Sequence, residues 1–159
     1  MIALALSLTL VLSGTDSLAK QTLQGLSFKA PTQWTKTPAD DNTLQWSDPS
    51  SGAELAISVF QVDPVRPAAA CLKQVVDALG TEGFAPMTLG SQPASKKIST
   101  DYLGEGEDAK TDANKVTTTT VVGCNGKVRW VMTWTSKTSM GARFGPVLKR
   151  VIDSIGYGK

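Results

Sequence analysis

The spacing of apolar and polar positions changes several times along the chain, and each change marks an element. From Gly25 to Ala30, Leu26 and Phe28 alternate with Ser27 and Lys29, which predicts a half-buried strand stopped by Pro31. Asn42 to Ser47 alternates again, with Leu44 and Trp46 on one face, and Asp48-Pro49-Ser50-Ser51-Gly52 has the chemistry of a turn. In Ala53 to Val62, Leu55, Ile57 and Val59 share one face while Ala56, Phe60 and Val62 share the other. That pattern predicts a central strand covered from both sides. After Pro64 and Pro67 the period becomes helical. Cys71, Leu72, Val75, Val76 and Leu79 predict an amphipathic helix over 67–79, ended by Gly80, with Cys71 pointing inward.

β character returns between Met87 and Leu103, where the segments 87–92 and 98–103 lie close enough to form a hairpin through Pro93 and Lys96-Lys97. Gly104 to Ala113 reads as an exposed loop. Asn114 to Cys124 is dense in β-branched residues, and Asn125-Gly126 is a two-residue hairpin signal. Its partner, Lys127 to Ser136, carries Val128, Trp130, Met132 and Trp134 on one face. Phe144, Val147, Leu148, Val151, Ile152 and Ile155 form a last helical stripe, which Pro146 must start or kink and Gly156 ends. The order β-β-β-α-β-β-β-β-α predicts an α+β fold: a mainly antiparallel sheet with two packed helices.

Composition narrows the picture. The 159 residues suit one domain, and 41% hydrophobic with 19% charged residues excludes a disordered chain. Sixteen basic against fourteen acidic residues give no electrostatic case for nucleic acid. Residues 1–12 form an uncharged apolar run, far short of the ~20 residues of a membrane span. The run fits the apolar region of a secretory leader, and Ser17-Leu18-Ala19 provides small residues at a cleavage site. The expected division is therefore a leader over 1–19 and one globular domain over 20–159, with no integral membrane span in the mature chain and a periplasmic or secreted location. The alternative is a first buried strand or helix. Thr15 stands where a lipidation box after Leu12-Ser13-Gly14 would need cysteine, so direct lipid anchoring is disfavoured. In an exported chain Cys71 and Cys124 are expected to form a disulfide; the competing reading is two buried thiols.

The segment Phe28-Lys29-Ala30-Pro31-Thr32-Gln33-Trp34 resembles the Phe-x-x-Pro-x-x-Trp opening of PsbP-like domains. The element order and the closing Val151-Ile152-Asp153-Ser154-Ile155 are similar too, and the likeness covers most of 25–156. The resemblance implies an α/β/α sandwich, a fold shared with a yeast Ran-binding protein, and bacterial exported proteins as relatives. It carries no metal site here, because the chain has no histidine to match the plant protein's ligands.

The absence of histidine also removes Ser-His-Asp and Cys-His nucleophiles and imidazole bases. Two thiolates without histidine or a Cys-x-x-Cys pair build no familiar zinc site, and no dinucleotide or phosphate-loop fingerprint occurs, so no cofactor is expected. Glu105, Glu107, Asp108 and Asp112 could hold Ca²⁺, but their spacing is not that of an EF-hand and a solvated loop explains them better. Of the tryptophans, Trp130 and Trp134 fit a core face, whereas Trp34 is expected to be exposed and is the candidate ligand contact. The sequence therefore points to a non-catalytic, exported binding or accessory domain that engages another protein or an envelope component. The alternative is a carrier of a small apolar ligand in a pocket between sheet and helix; a hydrolase built on carboxylates ranks last.

Overall fold

The structure, a computed structural model, describes residues 16–158. Its strands are β1 (Leu18–Leu23), β2 (Leu26–Pro31), β3 (Thr35–Asp40), β4 (Thr43–Ser47), β5 (Glu54–Gln61), β6 (Ala85–Leu89), β7 (Gln92–Tyr102), β8 (Lys115–Cys124), β9 (Val128–Lys137) and β10 (Gly156–Tyr157). Helix α1 (Ala68–Leu79) follows β5, and α2 (Gly141–Asp153) follows β9. Two antiparallel sheets result: seven strands in the order β3-β4-β5-β9-β8-β7-β6, and three in the order β1-β2-β10. This is an α+β fold.

Alternation along β5 and β9 assigns the two faces of the large sheet. Leu55, Ile57, Val59, Trp130, Met132 and Trp134 point to one side, where α2 and the small sheet bury them with Leu26, Phe28 and Phe144. The opposite face is covered only in part. There α1 packs Cys71, Leu72 and Val75 on Val122 and Cys124, over strands β7–β9. The expectation that β5 is covered on both sides is therefore corrected. It is central in the sheet, but α1 does not reach over it, and Phe60 stays 39% exposed.

Several boundaries also differ from expectation. The hairpin of the 87–103 region turns at Gly90-Ser91, so Pro93 and Lys96-Lys97 lie inside β7. Pro93 pairs only with Thr88 of β6; pairing of β7 to β8 begins at Ala94, so its missing N–H breaks no bond to β8. The β8–β9 connection is the three residues Asn125-Gly126-Lys127 instead of two. Asn125 Oδ1 accepts the N–H groups of Lys127 and Val128 and closes it. Gly126, at φ 91°, sits where a Cβ would overlap the Arg66 carbonyl oxygen. Helix α2 starts at Gly141, so Pro146 lies inside it, on an exposed flank, and the helix ends at Asp153, before Gly156.

Cys71 and Cys124 are joined by a disulfide with Cα atoms 6.0 Å apart, which fixes α1 to the end of β8. Residues 1–15 of the expected leader lie outside the described residues, whereas Asp16 to Ala19 are part of the fold. Leu18 and Ala19 pair with Pro31 and Ala30, Thr32 N–H donates to the Ser17 carbonyl at 2.9 Å, and Asp16 is buried. Among the described residues no helix is long and apolar enough to cross a membrane.

Candidate functional site

Helix α2 is clamped at both ends. At its start, Arg143 Nη2 lies 3.4 Å from Asp48 Oδ2 in the β4–β5 turn. Asp48 also accepts hydrogen bonds from Ser50 N at 3.0 Å, Ser50 Oγ and Ser51 Oγ. Burial works to raise the Asp48 pKa, but these hydrogen bonds and the Arg143 guanidinium outweigh it and hold the carboxyl below its ordinary value. At the other end, Ser154 Oγ accepts the Lys29 N–H of β2 at 2.8 Å, and Arg150 Nη2 donates to the Asp16 carbonyl at 2.9 Å.

Beneath the helix lies an aromatic cluster. Trp34 and Trp134 have ring centroids 4.8 Å apart, and Phe144 of α2 meets each at 5.8 Å. Trp34 is thus not the exposed side chain expected; only 6% of it is accessible. The physical reason is topological. Pro31 ends β2 in the small sheet and Thr35 begins β3 in the large one, so the connection between them crosses the core and carries the indole inward. The tryptophan side chain fills the interior, and a ligand contact there has no open surface to use.

The open surface lies on the other flank of α2. The helix does not cover the inner faces of β6, β7 and the middle of β8, and a trough runs along it. One part, about 260 Å³, lies between Gly141, Gly145 and Phe144 on the helix side and Thr117, Thr119 and Trp134 on the sheet. The other, about 390 Å³, lies among Gly145, Leu148 and Ile152 of α2, Ile98 of β7 and Met87 of β6. Thr119, Gly145 and Leu148 border both, so the two are continuous. Ile98 is 60% exposed on its floor.

Two glycines and a tryptophan border this trough. Chain neighbours aside, a Cβ on Gly141 or Gly145 would meet nothing within 4 Å, but Gly145 precedes Pro146, whose ring disfavours a Cβ-bearing residue in helical conformation there. Trp134 forms part of the wall; its Nε1–H, like that of Trp34 in the closed core, is buried and has no acceptor among the described residues. Trp130 provides the contrast: its Nε1 donates to Tyr157 Oη at 2.9 Å. Tyr157, whose pKa burial raises while that bond partly opposes the shift, is correspondingly fixed. Lys96 and Lys149 stand at one end of the trough; Asp153, the only carboxylate bordering it among the described residues, is ion-paired with Lys149.

The acidic loop is elsewhere and exposed. Glu107 pairs with Lys110 at 2.7 Å, and no group of three or more metal-ligating side chains occurs among the described residues.

No family model and no curated protein matches the sequence. Solved structures do match the fold. A cyanobacterial PsbP (CyanoP) from Synechocystis sp. PCC 6803 superposes with a TM-score of 0.58 over 91% of this chain and 94% of its own, at 13% identity. The chain has the PsbP-like fold. LpqN of Mycobacterium tuberculosis, described as involved in cell envelope biogenesis, matches at TM-score 0.52 and 12% identity, over 89% of this chain and 92% of its own. A Bacteroides thetaiotaomicron protein matches at TM-score 0.63 and 12% identity over 85% of this chain, which spans only 46% of that protein's length. At such identities the shared property is the PsbP-like fold, and the site must be argued from its own residues.

Proposed function

We propose that this protein is an exported, non-catalytic accessory domain that acts by binding a protein partner through the trough beside α2. The observation that carries the reading is an apolar floor left open on a helix clamped at both ends: Ile98 is 60% exposed, next to Leu148 and Met87. No carboxylate borders the part of the trough that holds Thr117, Thr119 and Ser136 among the described residues, and Asp153 in the other part is ion-paired with Lys149. Export is supported by the disulfide and by the apolar run of residues 1–12. The fold is shared with a protein described as involved in cell envelope biogenesis, which fits an accessory role.

A volume of about 390 Å³ between helix and sheet also favours a second reading, a carrier of a small apolar ligand. One experiment separates the two. A photo-crosslinking side chain replaces Ile98 in the native host, with Gln45 on the opposite sheet face as control, and the adduct is weighed. A protein-sized adduct at position 98 alone supports the binding reading. An adduct of a few hundred daltons supports the carrier, and equal labelling at both positions contradicts both.

A further inference from the structure

Resting on the reading that a protein binds beside α2, we infer how it is held: an extended segment of the partner adds as a strand to the free edge of β7 over residues 98–102. β7 is eleven residues long, but β6 pairs only with Gln92 to Lys96. Beyond Lys96 the strand is paired with β8 alone. Parity gives the direction of its backbone groups. Leu103 N–H donates to the Asn114 carbonyl on the β8 side, so odd-numbered positions of this stretch bond β8, and the N–H and C=O of Ile98, Thr100 and Tyr102 point away from it. For Ile98 and Thr100 these groups have no hydrogen-bond partner among the described residues, and both residues are exposed.

A row of unpaired N–H and C=O groups at strand spacing is completed by an extended backbone. The outermost strands of the large sheet are blunted against such pairing. β3 carries Pro38 at a register shift, and β6 is only five residues long and contains Pro86. Residues 98–102 include neither proline nor lysine. The same edge of a second copy fits badly. With Thr100 on a two-fold axis, Leu103 of one copy comes beside Lys97 of the other, where Phe84 leads into the Ala85–Lys96 pair. A shift one way sets Asp101 against Asp101, and a shift the other way overlaps β6.

The neighbours on β7 set the partner's composition, with the antiparallel pairing found throughout this sheet. Lys96 and Ile98 line the trough, so even-numbered positions face α2. A partner side chain opposite Ile98 continues the β6 row of Met87 and Ala85 and is apolar; the one opposite Thr100 shares that face and is β-branched or aromatic. Asp101 is on the other face. It has no ion pair among the described residues, and its Oδ1 accepts the Tyr102 N–H at 2.8 Å. A Lys or Arg opposite it complements the carboxylate. In antiparallel order the segment therefore reads basic, β-branched or aromatic, any residue, apolar.

The test is a displayed library of nine-residue linear peptides with every position varied, selected on the folded, oxidised protein. Thr100→Pro is the counter-target, since it removes an N–H that faces the open edge and breaks no bond to β8. Thr100→Val keeps that N–H and is the control. Enriched peptides are expected to carry the basic-to-apolar spacing and to slow amide exchange at Ile98 and Thr100 at least tenfold. They should lose at least tenfold in affinity to Thr100→Pro and to Asp101→Lys, but not to Thr100→Val. No enrichment, equal binding to Thr100→Pro, or unchanged exchange at those two amides overturns the inference. So does a dimer that Thr100→Pro dissociates. Where Thr100→Pro does not fold, the exchange measured on the wild-type chain decides alone. If these fail while the protein-sized adduct at position 98 persists, only the added strand is wrong; if both fail, the binding reading falls with it.

Discussion

The indole of Trp130 lies so close to Gly123 across the β8–β9 ladder that a Cβ on Gly123 would stand 2.5 Å from Cζ2 of the ring. Gly123→Ala must push the ring aside and disturb its bond to Tyr157 Oη. The expected cost is about 1–3 kcal/mol, read as a lower urea midpoint. An unchanged midpoint would show that the ring yields freely.

The disulfide closes a separation of 53 residues, and loop-closure entropy assigns it about 4 kcal/mol. Reduction is expected to lower the unfolding midpoint and to expose α1 first in hydrogen exchange, because α1 rests on a small cluster of its own. Binding at the trough, on the opposite face of the sheet, should survive reduction at temperatures where the domain remains folded. Loss of binding there would indicate a regulatory bond.

Much of this fold was legible because one face of most strands is buried. Trp130, Met132 and Trp134 alternate with half-exposed or exposed neighbours, and that period alone places β9 in the sheet. Strand β3 left no such trace: Thr35–Asp40 is exposed throughout and interrupted by Pro38 at an irregular edge. β10 is too short to show a period, and the first two residues of β1 fall within the expected leader. The trough was legible only in part. The stripe of α2 is wider than one face, since half-buried Leu148 flanks the buried Phe144, Val147, Val151 and Ile152, and Gly141 and Gly145 extend that flank. Which strands the helix leaves uncovered depends on sheet order, which local spacing does not encode.

Asp48 provides a pH signature. Its folded pKa lies below the ordinary carboxylate value of about 3.9, so its contribution is complete above that value and is lost as pH falls through the folded pKa. Asp48→Asn is expected to cost about 1.5–3 kcal/mol near neutrality, where the charged acceptor is lost. Urea midpoints of wild type and variant should then converge as pH drops from about 5 to about 2. A constant gap would mean that the charge is not what Ser50, Ser51 and Arg143 recognise.

The beginning of the folded unit gives another test. A chain starting at Lys20 lacks the Leu18–Pro31 and Ala19–Ala30 pairs, the Ser17–Thr32 bond and the contact from Arg150 to Asp16. It should unfold at a lower temperature than one starting at Asp16. Protein recovered from the native host is accordingly expected to begin at or before Asp16 by intact mass. A mature chain beginning at Lys20, with equal melting temperatures for the two forms, would show that these residues contribute nothing to stability.

The most direct measurement is the crosslinking yield at position 98 in the native host, compared with that at position 45 on the opposite face of the sheet. A protein-sized adduct should form at position 98 and not at position 45. Protein-sized adducts of equal yield at both positions, or none at position 98, would contradict binding beside α2.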